Sequence, residues 1–322
     1  MNETKKNIFE NPIIIALGAL LCCALWGSAT PAIKIGKALL IEDNVESTIL
    51  FAGIRFFAAG IITVLIYSIA RRKLLYPKLK NMPKVVTVSV FQTVIQYIFF
   101  YVGLSLTTGV KGTVLSGSSA FFIVILAALV FKTENLTVKK VLACIVGFAG
   151  MLLVNLNGLD FNMGWGELFV IISTVSYAFS SMFMKKFSKY EDPVVISGYQ
   201  FIIGGAFMIT VGLLFGGKIS FDDTTGVVIL VYLSFLSAIA YAVWGVLLKY
   251  NPASKVSIYN FTTPVFGSIL SYIFLVEERA NINPVNLIVS LAIVSAGILL
   301  LNINIKKKEA VLSGENTEVT EK

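Results

Sequence analysis

The sequence predicts an all-α membrane protein, ten transmembrane helices built as two inverted five-helix repeats. Three observations predict it. Of 322 residues, 57% are hydrophobic and 14% charged, against roughly 25% charged in a soluble domain. Apolar runs of about 20 residues, the length that crosses a ~30 Å hydrocarbon core, follow one another with short polar breaks. The second half of the chain also repeats the pattern of the first, by residues paired below.

The runs place spans at 12–36, 47–70, 85–106, 110–131, 138–156, 164–184, 193–215, 226–248, 254–275 and 284–303. Inside lipid each must be helical, because no water is there to satisfy exposed amides. Lys5 and Lys6 before the first run resemble the start of a secretory leader. Glu10, Asn11 and Pro12 interrupt it, and the run outlasts a leader's core, so a permanent first helix is expected. The expected organisation is a cytoplasmic N-terminus (1–11), a first repeat (12–156), a second repeat (164–303) and a cytoplasmic tail (304–322). From Glu309 on the tail is polar and lacks aromatics, so disorder is expected.

Orientation follows from Lys and Arg. Both termini and the connections after spans two, four, six and eight carry twenty of these residues, including Arg71, Arg72, Lys73, Lys78, Lys80 and Lys84. The opposite face carries five: Lys34, Lys37, Lys111, Lys218 and Arg279. Positive residues stay inside, which puts both termini in the cytoplasm of a multi-pass plasma-membrane protein. The net charge of +8 is thereby explained by loops and not by nucleic acid.

The repeat is read from ordered matches. Gly53-Ile54-Arg55-Phe56 parallels Gly198-Tyr199-Gln200-Phe201, and Gly60 falls on Gly205. Lys111 falls on Lys255, Glu134 on Glu278, Trp26 on Tyr177 and Lys34 on Lys185. Ala149–Leu153 parallels Ala296–Leu300, with Asn155 and Asn157 meeting Asn302 and Asn304. Five spans per half is odd, so the second half enters the membrane from the opposite face. Inverted repeats give carriers two states, open on opposite sides, with the solute held near the midplane.

The order Trp26-Gly27-Ser28-Ala29-Thr30-Pro31-Ala32-Ile33-Lys34 resembles the first-helix signature of the drug/metabolite transporter superfamily, EamA type. Ile54-Arg55-Phe56-Phe57-Ala58-Ala59 resembles its second-helix segment, and Phe274-Leu275-Val276-Glu277-Glu278-Arg279 the glutamate that closes its ninth helix. Pro264 sits where that helix carries proline; in the first half Ala120 stands there instead, which leaves a proline-dependent kink unsupported. The resemblance covers about 12–305. It implies two EamA units in a ten-helix basket and transport, often export, of amino acids or other metabolites. It fixes no substrate.

Candidate solute contacts come from the polar and aromatic residues within spans. Arg55 is the one charge deep in a span, where insertion costs roughly 2.5–3.5 kcal/mol unless a partner or wet cavity receives it. It is read either as a contact for a substrate carboxylate or a gate, or as part of a hydrogen-bond network between helices. Ser116-Gly117-Ser118-Ser119 interrupts the fourth span and its counterpart is Asn260-Phe261-Thr262-Thr263. These line a shared cavity or mark close helix packing. Gln92 and Gln96 are spaced for one face, as are Tyr97 and Tyr101. Trp26, Tyr177, Ser180, Tyr241, Trp244 and Tyr259 complete the set, with Gln96, Tyr97, Ser116, Ser118, Ser119, Asn260 and Thr263, as lining for an amphiphilic or aromatic solute; ordinary packing is the alternative for each.

No Asp or Glu lies deep in a span, so proton coupling through an intramembrane carboxylate is not expected. There is no His, no H-E-x-x-H and no G-x-S-x-G, which argues against an intramembrane enzyme, and no cofactor or metal site is expected. No filter loop or charged ring suggests a channel. Cys22, Cys23 and Cys144 fall in apolar runs and read as packing residues. Ala143 with Gly147, and Ala292 with Ala296, form small-xxx-small faces that pack helices or serve a homodimer. The expected partners are the lipid bilayer and a small-molecule substrate.

Overall fold

The computed structural model describes residues 7–107, 109–154, 163–274 and 283–302. Among the described residues, eight helices are long and apolar enough to cross a membrane: α1 (Pro12–Leu40), α2 (Val45–Ala70), α3 (Leu79–Leu106), α4 (Lys111–Val130), α6 (Trp165–Phe187), α7 (Pro193–Leu214), α8 (Thr224–Tyr250) and α10 (Pro284–Asn302). Two further helical segments fill the remaining expected spans. These are α5 (Val138–Val154) and a broken α9, made of Ala253–Ser257, a 3-10 turn at Ile258–Phe261, and Thr262–Phe274. All ten expected spans therefore meet helix. The main differences are at the ends: α1 runs on to Leu40, and α3 begins at Leu79. Lys5, Lys6, Asn155, Asn157, Glu277, Glu278, Arg279 and the tail lie outside the described residues.

Polar caps set several helix starts. Asn11 accepts from Ile13 N (2.9 Å), Asn44 from Ser47 N (2.8 Å), Asp192 from Val194 N (2.9 Å) and Asp223 from Gly226 N (2.7 Å). Each satisfies an amide that the first helical turn leaves without a partner. Pro12 and Pro193 follow their caps, where a missing N–H costs nothing.

Helix packing reproduces the repeat. α2 packs on its counterpart α7, and α5 on α10. α1 packs on α8 and α9, just as α6 packs on α3 and α4. At the α2–α7 seam a Cβ on Gly60 would lie 2.6 Å from Gly198 O, and one on Gly205 2.9 Å from Gly53 O. These are the glycines paired in the sequence, and only glycine allows the two backbones so close. Phe56 stacks on its counterpart Phe201 with centroids 5.1 Å apart.

The α5–α10 seam bears out the helix-packing reading of the Ala143–Gly147 face. Gly150 lies against Ser290 O and Gly297 against Ala143 O, so the Ala143–Gly147 face is covered by α10 of the same chain and not offered to a second copy. Ala292 and Ala296 are exposed; the buried stripe of α10 is Ser290, Val294 and Gly297, a different face of that helix.

Candidate substrate site

A cavity of about 1390 Å³ lies between the halves, walled by α1, α2, α3, α4, α6, α8 and α9. Its rim carries Asp43 and Asn44 of the α1–α2 connection and Ser105 near the end of α3, so it opens at that end of the bundle. Ten of the fourteen expected contacts line it: Trp26, Arg55, Gln96, Tyr97, Ser116, Ser119, Tyr177, Tyr241, Asn260 and Thr263.

Arg55 is 2% exposed. Its Nε and Nη2 donate to Ser237 Oγ at 3.1 and 3.0 Å, and its guanidinium carbon stands 4.8 Å from the Phe56 ring centroid. The hydrogen-bond network expected between helices is therefore present, linking α2 to α8. Nη1 is left over, with no hydrogen-bond partner among the described residues. In the second half, Gln200 stands at the Arg55 position and accepts from Thr93 Oγ1 at 2.6 Å. The two helix-to-helix links correspond, but only the first carries charge, and only Arg55 reaches the cavity.

The midplane floor is aromatic. Trp26 meets Tyr177, Tyr241 and Trp244 edge-on, with centroids 6.4, 5.2 and 5.0 Å away. The hydroxyls of Tyr97 and Tyr241, counterparts in α3 and α8, hydrogen-bond at 2.7 Å. Eight residues that line the cavity carry a buried polar atom without a well-formed hydrogen bond: Trp26 Nε1, Arg55 Nη1, Gln96 Oε1, Tyr101 Oη, Ser116 Oγ, Tyr177 Oη, Asn260 Oδ1 and Thr263 Oγ1, with Tyr101 beside Arg55 and Asn260 beside Tyr177. Buried polar groups are nearly always paired, and an unpaired one costs about 1–3 kcal/mol. Eight around one cavity mark a place built to receive a polar guest or water.

Four expected contacts lie elsewhere. Ser118 sits at the break in α4 and donates to Leu115 O (2.5 Å); Ser180 donates to Tyr177 O (2.8 Å). A serine in apolar surroundings takes its own helix's carbonyl in this way. Trp244 packs beneath Trp26, and Tyr259 belongs to the same apolar core below the floor. Gln92 does not share the cavity face of Gln96, because residues Val90–Ile95 form a π-helical stretch that rotates the later part of α3. The break at Ser118 forms without the proline that Pro264 supplies in α9. The walls also include Thr30, Lys34, Lys37, Thr113, Ser173, Thr174, Ser268 and Ser271. Thr113 with Ser116, and Asn260, Thr263, Gly267 and Ser271, recur at helical spacing, a polar stripe that the sequence offered as a signal.

The other end is closed. An apolar core there includes Ile15, Ala19, Val85, Met182, Trp244, Leu247, Ile258 and Phe261, and Cys22 and Cys23 donate to Ala240 O and Tyr259 O. Two polar clasps overlie it. Glu134, after α4, accepts from Ser254 N, Ser254 Oγ and Ala253 N at the start of α9, and pairs with Lys140 Nζ at 2.9 Å. Burial works to raise the Glu134 pKa, but hydrogen bonds from Ser254 and Lys140 outweigh it and hold the carboxyl below the usual range. Lys185, in the last turn of α6, donates to Leu248 O and Asn251 O at the end of α8. At the open end Glu167 joins α6 to α3 and α4 through Thr107 Oγ1 (2.5 Å) and Lys111 Nζ (3.1 Å). Among the described residues no group of three acids or cysteines is placed to hold a metal ion.

Comparison with known proteins follows the same division. The profile of the EamA-like transporter family matches residues 13–156 and again 164–303. The uncharacterized transporter YvbV of Bacillus subtilis is 26% identical, over 92% of this chain and 94% of that protein. An uncharacterized transporter of Archaeoglobus fulgidus is 26% identical over 80% and 88%. A WAT1-related chloroplastic protein of Arabidopsis thaliana is 28% identical over 60% of this chain, and the match spans 49% of that protein's length. A solved crystal structure superposes with a TM-score of 0.73 at 16% identity, covering 89% of this chain and 97% of the other, which speaks to the fold alone.

Proposed function

Since the chain belongs to the EamA-like transporter family, within the drug/metabolite transporter superfamily, we propose that it is a secondary carrier for a small carboxylate-bearing metabolite, an amino acid or related solute, working by alternating access. One observation carries the reading: eight buried polar atoms without a well-formed hydrogen bond, Arg55 Nη1 among them, surround a cavity that is open at one end and sealed at the other. A carboxylate is the natural partner for the free edge of a buried guanidinium. Aromatic walls would receive the apolar remainder of the solute. Among the described residues the only acid lining the cavity is Asp43 at the rim, which favours facilitated diffusion or a coupling other than proton transfer by an intramembrane carboxylate.

In the orientation given by Lys and Arg, both termini are cytoplasmic, the sealed end faces the cytoplasm and the cavity faces out of the cell. Export is the direction the family resemblance favours. Uptake is the second reading, favoured by a cavity that an external solute enters directly. Saturable flux in proteoliposomes, measured in both directions for a series of carboxylates and their amides, tests the proposal. Arg55→Ala is expected to lower solute flux at limiting concentration about 10- to 100-fold, the loss of one hydrogen bond to a charge at ~1.5–3 kcal/mol. Unchanged flux by a well-folded variant would remove Arg55 from the mechanism, and non-saturable flux would point to a channel.

A further inference from the structure

The polar atoms of the cavity that lack a well-formed hydrogen bond divide by sign. Arg55 Nη1 and Trp26 Nε1 can only donate, while Gln96 Oε1 and Asn260 Oδ1 can only accept. The amide nitrogen of Asn260 already donates to Ser119 Oγ at 3.3 Å. Asn260 and Ser119 are 5% and 4% exposed, and both line the cavity. Ser116 Oγ, Thr263 Oγ1 and Tyr177 Oη line it too, with Tyr177 beside Asn260. These are hydroxyl oxygens, which accept as readily as they donate. The oxygens lie where both halves break a helix. α4 is interrupted at Ser118, and α9 by the 3-10 turn at Ile258–Phe261. The repeat register pairs Ser116 with Asn260 and Ser119 with Thr263. The Asn260–Ser119 bond therefore joins the two breaks, and each half supplies the same two positions. In carriers with inverted repeats, broken helices near the midplane hold the solute and its coupling ion. The Arg55 guanidinium is engaged elsewhere, with Ser237 of α8 and beside Tyr101 of α3.

We propose that Asn260, with Ser116, Thr263 and Tyr177, forms a subsite for a monovalent cation at the paired breaks of α4 and α9, opposite in sign to the free edge of Arg55. Four neutral oxygens, one of them unable to donate, suit a desolvated positive charge. Calcium and magnesium are held by oxygen sets that include carboxylates. Among the described residues the cavity's only acid, Asp43, stands at the rim, so a divalent ion finds no counter-charge at the breaks. Two sources present a single charge: a sodium ion carried with the solute, or the ammonium group of a solute whose carboxylate Arg55 takes. The subsite deepens the carrier reading and rests on it for its role, while its occupancy is a matter of binding alone.

The test is cation binding to the full chain in nanodiscs, read as a saturable rise in melting temperature. Sodium chloride and methylammonium chloride are each exchanged against N-methyl-D-glucamine chloride at constant ionic strength. A saturable response to at least one is expected, and the tighter of the two names the source, the free ion or the solute's amino group. Asn260→Leu keeps the volume and removes the oxygen. It is expected to weaken binding about 10- to 100-fold, the scale of a hydrogen bond to a charge. Thr263→Val is expected to weaken it about threefold or more. Asn260→Asp puts a negative charge at the same place and is expected to tighten binding at least about tenfold. That gain separates a cation site from a buried water or an amide that only joins helices, neither of which a carboxylate improves. A response to neither probe overturns the proposal. So does an Asn260→Asp chain that elutes as the wild type does and binds no more tightly, or an unchanged affinity in both Asn260→Leu and Thr263→Val. If Asn260→Leu does not fold, the Asp and Val variants decide. Flux is read separately. A chain that moves carboxylates yet responds to neither cation sinks the subsite and leaves the transport reading, and a chain that binds a cation through Asn260 yet carries no solute does the reverse.

Discussion

The two ends of the bundle are built from corresponding residues and differ in what lies between them. At the closed end Met182, Met184 and Leu247 pack into a continuous apolar core, Glu134 clasps the start of α9 across the halves, and Lys185 clasps the end of α8 within the second. At the open end Ile33 and Lys34, the counterparts of Met184 and Lys185, line a cavity. The seams α2–α7 and α5–α10, which relate each helix to its own counterpart, are tight throughout. The difference teaches a division of labour. Contacts lying on the pseudo-two-fold axis survive its operation and belong to both states. On the alternating-access reading proposed above, the core and clasps of the closed end are the gate.

The largest effect is expected from a substitution on the axis. In Gly205→Leu the Cβ would lie 2.4 Å from Phe57 N and 2.9 Å from Gly53 O, backbone atoms of α2 that have nowhere to go. Overpacking of a rigid seam costs at least about 1–3 kcal/mol, and here both states incur it. Loss of the monodisperse peak in size-exclusion chromatography is expected. A variant that elutes normally and changes only the mouth distance, read between spin labels on cysteines replacing Asp43 and Ser105 at the exposed rim, would mean that this seam is part of the gate.

The next effect belongs to the closed end alone. Glu134→Gln removes the charge that receives Lys140 and the Ser254 hydroxyl. Hydrogen bonds to a charge contribute about 1.5–3 kcal/mol, so amide exchange protection at Ala253 and Ser254 should fall about 10- to 100-fold. The pH dependence follows from the lowered Glu134 pKa. A depressed carboxyl contributes stability that is present above its unfolded pKa and is lost as pH falls through the folded value. Wild-type protection factors should therefore be flat from neutral pH into mild acid and drop only below the ordinary carboxylate range, while those of Glu134→Gln should lack that drop. A wild-type transition near neutrality would place the controlling charge elsewhere.

Much of this division was legible in the sequence. Hydropathy and the Lys/Arg bias average over whole segments, so ten spans and their alternation survive errors at any one residue. The repeat register was good enough to join Phe56 to Phe201 and Trp26 to Tyr177 before any contact was seen. What stayed hidden is local. Nothing in the composition of Val90–Ile95 announces a π-helical stretch, yet it decides that Gln96 faces the cavity and Gln92 does not. Ser118 and Ser180 carry the same hydroxyl as Ser116 and Ser119, and spacing alone does not say which returns to its own backbone. Which end is closed was beyond the sequence altogether, because corresponding residues stand at both ends of a near-symmetric chain.

A smaller effect is expected at the floor. Tyr241→Phe deletes one side of the 2.7 Å hydroxyl pair with Tyr97. The two residues are counterparts across the axis, so their bond belongs to both states. Its loss, about 0.5–1.5 kcal/mol, should alter solute affinity up to about tenfold and leave the distance distribution at the mouth unchanged. A redistribution would show that the floor opens during the cycle.

The smallest effect is the most discriminating. Gly245 on α8 corresponds to Tyr101 on α3, so the two ends differ here by a whole side chain. A Cβ at Gly245 would sit 3.3 Å from Pro193 Cβ, 3.4 Å from Ser197 Oγ and 3.5 Å from Met184 Sδ, tight but without collision with backbone. Gly245→Ala therefore has two consequences. Alanine favours the helix over glycine by about 0.8–1.0 kcal/mol, but α8 is helical in either state, so this term raises overall stability and cancels from the equilibrium between them. The contact term acts only while α6, α7 and α8 are closed around the site. A cost of at most about 1 kcal/mol there would move the mouth distribution toward the closed-mouth form by no more than about fivefold, with thermal stability unchanged or higher. A stabilised variant whose distribution also moved toward the open mouth would mean that Gly245 is not part of what closes that end.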